Sequence, residues 1–201
     1  MIKLVGITGG IGSGKTTFSK HLKKLGYLVH ESDLVVSNIY TKPEKKFLNF
    51  VKEKISQDAV SHNKINKAEI ANVIFKNKAI KKLLERRVHT EVQISRDAFI
   101  KKNKKNKKKL IFADIPLLLE KKLEKNFDLV VCVISSKKNR IKRVLKNKKF
   151  TKENLNKVLK AQTTDKERRK RSQIIINNNK TKKDFIFSVE KVLKDLIKWE
   201  K

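Results

Sequence analysis

The stretch IKLVGITGGIGSGKTTFSKHL, residues 2–22, constrains the fold of this chain more than any other part of its sequence. Residues 2–8 form a short, apolar and partly β-branched run that predicts a buried strand. Glycines dominate residues 9–14, and residues 15–25 then show helical spacing that closes at Gly26. A glycine-rich turn between a buried strand and a helix is typical of a site where backbone N–H groups bind an anion.

The turn fits the phosphate-binding pattern G-x-x-x-x-G-K-[ST]. Lys15 is predicted to reach the β- and γ-phosphates of a nucleoside triphosphate, and the Thr16 hydroxyl to ligate Mg²⁺. The dinucleotide pattern G-x-G-x-x-G begins at Gly10 and Gly12 but fails, because Lys15 stands at its third glycine. We therefore predict an ATP site. Its phosphate-binding residues are Gly9, Gly10, Gly12, Ser13, Gly14, Lys15, Thr16 and Thr17.

The rest of the chain alternates short apolar runs with helical patterns. Strands are predicted at 27–30, 110–116, 128–134 and 173–178, and helices at 138–146, 152–162 and 185–199. With the first strand, this alternation predicts an α/β fold in which helices flank a five-stranded parallel sheet. Residues 43–103 show helical periodicity without a strand signal of comparable strength, which predicts a helical insertion.

The formal net charge is +32, yet only 8 of the 52 basic residues are arginine. Lysine, asparagine and isoleucine share A/T-rich codons, and the lysine-rich run 101–109 has no aromatic residue to stack on bases. We interpret the charge as a composition bias rather than as the mark of a nucleic-acid partner. The single cysteine, Cys132, and the absence of an apolar run of ~18 residues predict a cytoplasmic protein without a membrane span.

Two sequence features narrow the class of nucleotide-binding protein. A switch GTPase requires N-K-x-D, but residues 66–69 read NKAE and residues 147–150 read NKKF, so both lack the aspartate. The helical insertion and the basic segment near Arg143 instead favour a small-molecule kinase that has an acceptor-binding part and a lid.

Motifs in the same order along nearly the whole chain resemble the dephospho-coenzyme A kinase family. They are LVGITGGIGSGKTT, ESD after the second strand, ADIPLLLE (113–120), RIKRVL with AQ downstream, and IINN. The resemblance implies a P-loop NTPase fold with core residues 1–40 and 110–201, a helical acceptor-binding insertion at about 42–103 and a lid at about 140–165. It also implies transfer of the ATP γ-phosphate to the ribose 3′-hydroxyl of 3′-dephospho-CoA, the last step of coenzyme A synthesis.

The resemblance assigns catalytic roles to Asp33 and Arg143, besides Lys15. Asp33 follows the second strand, where a parallel sheet presents its ligands, and is predicted to be the base for the 3′-hydroxyl. Its alternative role is that of a helix N-cap. Arg143 is predicted to stabilise charge on the transferring phosphoryl group, and its alternative is a solvated face of a basic helix.

Four further residues are predicted by resemblance. Asp114 ends the third core strand and would hold Mg²⁺ through water and contact the acceptor, unless it is only a turn residue before proline. Gln162 is predicted near the lid and acceptor, and Asn178 near the adenine. His89 is predicted to contact the acceptor, with packing or simple surface exposure as the alternative.

The chain departs from the family pattern at three positions. Glu31 replaces an aspartate, Thr90 replaces a proline, and Asn147 replaces a second lid arginine. We hypothesise that one of the lysines flanking Asn147 substitutes for that arginine. These lysines are Lys146, Lys148 and Lys149.

Two alternative functions stay open at this point. One is a P-loop kinase for a nucleotide or a shikimate-like acceptor, although the residues after the second strand match neither signature. The other is an ATP-gated RNA-binding module, which only the net charge favours.

Overall fold

The computed structural model describes residues 3–103, 110–147 and 150–198. In chain order, its strands are β1 (Lys3–Thr8), β2 (Leu28–Glu31), β3 (Val60–Ser61), β4 (Lys64–Ile65), β5 (Leu110–Asp114), β6 (Leu129–Ile134) and β7 (Ile174–Asn177). Its α-helices are α1 (Lys15–Lys24), α2 (Ser32–Thr41), α3 (Lys45–Lys54), α4 (Lys67–Lys76), α5 (Lys78–Asn103), α6 (Lys137–Lys146), α7 (Lys152–Ala161), α8 (Asp165–Arg171) and α9 (Lys182–Lys198). Within these residues, none of the helices is long and apolar enough to cross a membrane.

The first of two compact units contains the five long strands. They form one sheet in the order β2-β5-β1-β6-β7, and every neighbouring pair is parallel. The predicted five-stranded parallel sheet is therefore confirmed. Because all strands run the same way, their carboxyl ends lie along one edge, and Ile7 and Glu31 both pair in register with Asp114 there.

The core of this unit lies between the sheet and its flanking helices. All six residues of β6 are buried, as expected for a central strand whose two faces are covered. Phe18 and Leu22 of α1 and Phe185 and Val189 of α9 pack against the sheet. Cys132 is 0% exposed, and burial raises the pKa of its thiol to about 11.

The second unit, Ser32–Asn103, contains α2 to α5 and the antiparallel pair β3–β4. Its apolar core includes Phe47, Val51 and Leu84. α2 is part of this unit because Val36 and Ile39 pack against that core. This hairpin has no signal in the sequence, since strands of two residues are too short to show periodicity.

The segment after β6 contains three helices with side-chain caps. Ser136, Thr151 and Thr164 accept hydrogen bonds from the backbone N–H groups of the first turns of α6, α7 and α8. The first two of these helices, and α9, agree with the predicted helices, whereas α8 is an addition. Three parts of the sequence predictions lie outside the described residues. They are positions 104–109 of the lysine-rich run, the lysines at 148 and 149, and position 199 of the predicted closing helix.

Candidate nucleotide-binding site

The phosphate loop, residues 9–16, connects β1 to α1 with a backbone that requires glycine. Gly9, Gly12 and Gly14 have φ angles of +147°, +73° and +113°, which L-residues with a side chain rarely adopt. A Cβ at Gly9 would meet the backbone oxygen of Val133, and one at Gly14 would meet the side-chain amide nitrogen of Asn178. Conformation and space therefore both exclude a side chain at these two positions.

The loop leads directly into the first turn of α1. Gly14 takes the cap position without a side chain that could accept from the first N–H groups, so these groups stay available to a ligand. Thr16 is exposed and Thr17 is half-buried in this turn. The Lys15 ammonium donates a 3.0 Å hydrogen bond to the Gly9 carbonyl, which places its charge at the beginning of the loop.

Arg143 and Asn178 support the loop through its carbonyl groups. Asn178 is 7% exposed, and its Nδ2 donates a 2.7 Å bond to the Ser13 carbonyl. Arg143 donates from Nη2 to the Asn178 carbonyl at 2.9 Å and from Nη1 to Ser135 Oγ at 3.1 Å, with a longer 3.4 Å contact to the Gly12 carbonyl. These bonds fix the Gly12 and Ser13 carbonyls, and with them the path of the loop.

Gln162 meets the opposite side of the loop. Its Oε1 accepts a 3.0 Å hydrogen bond from the Ile11 N–H. Two arginines that our sequence analysis missed, Arg140 and Arg168, lie beside Gly10, because a Cβ there would contact the Nη1 atoms of both. Their only sequence signal is a basic residue in a helix after the fourth core strand, β6, and many lysines in this chain share that signal.

Carboxylates bind Arg168. Arg168, 2% exposed, donates a 2.8 Å bond to Asp165 Oδ1 and lies 3.4 Å from Glu120 Oε1. Glu120 also accepts a 2.8 Å bond from the Thr163 N–H, which ties the segment after β5 to the segment before α8. Arg168 is thus held by a network of carboxylates rather than solvated.

A second ion pair lies in the same unit, between Arg171 and Glu124. The Arg171 guanidinium donates to Glu124 Oε1 at 2.5 and 3.0 Å and to the Leu119 carbonyl at 2.7 Å. Partial burial alone would raise the pKa of Glu124, but the hydrogen bond and charge of Arg171 outweigh it, and the pKa is lowered.

Asp114 lies at the carboxyl end of β5, as predicted. Its Oδ2 accepts a 2.7 Å hydrogen bond from Ser19 Oγ of α1. Ser19 follows Thr16 by three residues on the same helix, so both hydroxyls are on one face of α1. At the neighbouring strand end, Glu31 forms an ion pair with Lys23. Among the described residues, no three His, Cys, Asp or Glu side chains cluster as a metal site.

The second unit holds the other two predicted residues. Asp33 is exposed in the first turn of α2, where its charge complements the helix dipole, and it is not the N-cap because the helix already begins at Ser32. His89 is exposed on α5. A groove of about 380 Å³ between α2, α3 and α5 is lined by other residues. They include Val35, Asn38, Ile39, Lys42, Phe47, Glu91 and Ile94.

The chain is similar to known proteins over nearly its whole length. The family model described as Dephospho-CoA kinase matches residues 3–184. The chain is 31% identical over 194 residues to a dephospho-CoA kinase of Fusobacterium nucleatum, with 94% of this chain and 96% of that protein covered. It is 34% identical over 187 residues to one from Buchnera aphidicola, with 90% and 85% covered.

A solved structure of dephospho-CoA kinase from Campylobacter jejuni aligns with the whole of both chains at a TM-score of 0.75 and 23% identity. This likeness extends the agreement to the fold. The family model matches most of this chain, and the relatives align with nearly all of it. The chain therefore belongs to the dephospho-CoA kinase family.

Proposed function

We propose that this chain transfers the γ-phosphoryl group of ATP to the ribose 3′-hydroxyl of 3′-dephospho-CoA and releases CoA and ADP. The single observation that carries the proposal is a phosphate loop in which Lys15 is bonded to the Gly9 carbonyl, in a chain of the dephospho-CoA kinase family. A loop of this kind binds the phosphates of a nucleotide, and the family supplies the acceptor.

On the ATP side, residues of the loop and its supports have distinct roles. The N–H groups of the loop and of the first turn of α1 bind the phosphate oxygens, and Lys15 contacts the β- and γ-phosphates. Arg143 and Asn178 position the loop, because their hydrogen bonds hold the Gly12 and Ser13 carbonyls. Gln162 holds the Ile11 N–H from the other side. A direct contact of Arg143 with the phosphoryl group stays a prediction.

Mg²⁺ fits the residues at the start of α1. Thr16 offers an exposed hydroxyl oxygen, and Asp114 offers a carboxylate that already bonds Ser19 one turn further along the same helix. Hydroxyl, carboxylate and water oxygens are the ligands that Mg²⁺ prefers. When bound, the ion would neutralise charge on the β- and γ-phosphates.

On the acceptor side, we propose that Asp33 is the base. Its carboxylate is exposed at the beginning of α2, two residues after β2 ends, and so it is accessible to a hydroxyl group. Accepting the proton of the 3′-hydroxyl as the oxygen attacks the γ-phosphorus is worth ~10²–10⁴ in rate. His89, exposed on α5, is proposed to contact the acceptor outside its reacting hydroxyl.

An acceptor panel tests this proposal. The chain is incubated with Mg-ATP and, separately, with 3′-dephospho-CoA, a nucleoside monophosphate or shikimate, and ADP release is followed by a coupled assay. We expect rapid release only with 3′-dephospho-CoA. Faster ADP release with shikimate or a nucleotide would show a kinase with a different acceptor and contradict the proposed substrate. If no acceptor led to ADP release, the whole proposal would be overturned.

We also propose that the protein works in the cytoplasm without a nucleic-acid partner. The buried Cys132 forms no disulfide in the described residues, and the charge is carried mainly by lysine. A filter-binding assay with RNA at increasing salt tests the second point. The proposal would be contradicted by tight binding in which the logarithm of the association constant falls steeply and linearly with the logarithm of the salt concentration.

A further inference from the structure

The Gly10 side of the phosphate loop is covered by a buried arginine to which neither the motifs nor the family resemblance assigns a role. Arg140 of α6 is 8% exposed. Its Nη1 is the atom closest to the position that a Cβ on Gly10 would take. The backbone oxygen of the same residue would lie 2.7 Å from a Cβ on Gly12. Arg140 therefore packs along the loop at two of its glycines.

The charge of Arg140 is incompletely neutralised by the described part of the chain. Its Nε is buried and has no hydrogen-bond partner there. Its Nη2 lies 3.6 Å from Asp165 Oδ2, which is longer than a hydrogen bond. Asp165 is also the partner of Arg168, at 2.8 Å, so two buried guanidinium groups share this carboxylate. Because a buried cation is costly unless it is paired, this arrangement favours an additional anion beside the loop.

The position of Lys15 indicates which part of a nucleotide that anion belongs to. In phosphate-binding loops the lysine reaches the β- and γ-phosphates. Here its ammonium is bonded to the Gly9 carbonyl, so the Gly9–Gly10 end of the loop corresponds to the terminal phosphate. Arg140 lies beside Gly10 and is thus at the same end as Lys15.

Neither of the two lid positions named by the family pattern is among the side chains nearest to a Cβ on Gly10. Arg143 directs its guanidinium to Ser135, to both oxygens of Asn178 and toward the Gly12 carbonyl. Asn147 is uncharged and exposed at the end of α6. A guanidinium has five N–H donors, and the buried Nε donor of Arg140 has no partner in the described chain.

We propose that Arg140 binds the γ-phosphate of ATP and stabilises its charge during transfer. The proposal rests on the proposed function only in that ATP is the phosphate donor. In the transfer itself the acceptor oxygen forms a bond to the γ-phosphorus while the bond to the ADP oxygen breaks. Arg140 takes up no atom and no electron pair, and contributes charge and hydrogen bonds to the oxygens of that phosphorus.

Binding measurements on Arg140→Gln test the proposal without any acceptor. Calorimetry gives the Kd of the magnesium complexes of β,γ-imido-ATP and of ADP for the wild-type chain and the variant. Since a charged hydrogen bond to the γ-phosphate is lost, the triphosphate should bind about 10- to 100-fold more weakly. ADP lacks that phosphate, and its Kd should change by less than about 3-fold.

Two variants separate this binding role from a structural one. Arg171→Gln removes an arginine of the same unit that bonds Glu124 and the Leu119 carbonyl, and it should leave the ratio of the two Kd values unchanged. If Arg140 served only as an ion-pair partner, Asp165→Asn would reproduce the effect of Arg140→Gln. We expect instead that Asp165→Asn retains the preference for the triphosphate.

Arg140→Lys keeps the test valid if the glutamine variant does not fold. Lysine preserves the charge but not the planar fork, and the triphosphate preference should fall by about 3- to 10-fold. Equal weakening of both nucleotides, or no change, would overturn the proposal. Because no acceptor is present, a wild-type chain that failed to phosphorylate 3′-dephospho-CoA would contradict the proposed function and leave this test intact.

Discussion

The support of the phosphate loop by Asn178 can be tested with a nearly isosteric substitution. Asn178→Asp keeps an oxygen for Arg143 but replaces the nitrogen that donates the 2.7 Å bond to the Ser13 carbonyl. The variant leaves a buried carbonyl without its donor and places a second acceptor against it. A loss of this kind costs about 1–3 kcal/mol. In a chain of this size, each kcal/mol lowers Tm by about 2–4 °C.

ATP binding should be weakened by a similar free energy, because the loop of the variant must be ordered again before its N–H groups can bind phosphate. A cost of about 1–3 kcal/mol corresponds to a Kd for ATP that is about 5- to 150-fold higher. Thermal unfolding and calorimetric titration with Mg-ATP measure the two effects. Asn177→Asp is the matched control, since Asn177 is the preceding residue, is exposed and lies at the end of β7. Unchanged Tm and ATP affinity in Asn178→Asp, or equal changes in the control, would refute the argument.

Four further predictions concern the reaction and the fold. Lys15→Ala should lower kcat by about 10²–10³, because the charge directed at the phosphates is lost, while losing the bond to the Gly9 carbonyl should cost only about 0.5–1.5 kcal/mol of stability. Steady-state kinetics near wild type would contradict this. Asp33→Asn should lower kcat by about 10²–10⁴ while the Kd for ATP changes by less than about 3-fold, and a variant with normal kcat would exclude Asp33 as the base. The pKa of the Cys132 thiol is raised from 9.0 to about 11, which lowers the fraction of reactive thiolate near pH 8. The thiol should therefore react with an alkylating reagent at least about 100-fold more slowly in the folded chain than in the unfolded chain. Equal rates would contradict its burial. The pKa of Glu124 is lowered below 4.5, so its pairing with Arg171 stabilises the fold above that pH, and this stabilisation is lost as the pH falls through the lowered pKa. Between about pH 6 and pH 3, Tm should therefore fall more steeply in the wild type than in Glu124→Gln. Parallel Tm curves would refute this.

The parts of the fold that depend on local sequence could be predicted. The phosphate loop is local, since its glycines, Lys15 and the flanking apolar periodicity lie within about twenty residues. The five core strands could be recognised because strands buried on both faces are continuous apolar runs. Asp114 could be placed at a strand end because a polar residue closes such a run.

Tertiary contacts and short elements could not be predicted in the same way. Arg140 reaches the loop from a helix 130 residues later in the chain, and nothing in its neighbourhood distinguishes it from the surrounding lysines. The bonds of Arg143 to Asn178 depend on how α6 meets the end of β7. α8 has no apolar residue that could show a helical period, but Thr164 followed by Glu167 is a capping signal that could have located it.

The central claim is that the chain phosphorylates the ribose 3′-hydroxyl of 3′-dephospho-CoA. The most direct measurement is mass spectrometry and ³¹P NMR of the products after incubation of the wild-type chain with Mg-ATP and 3′-dephospho-CoA. The account predicts ADP and CoA in equal amounts, with one new phosphate on the 3′-oxygen. ADP without CoA, or a phosphate on any other oxygen, would contradict it.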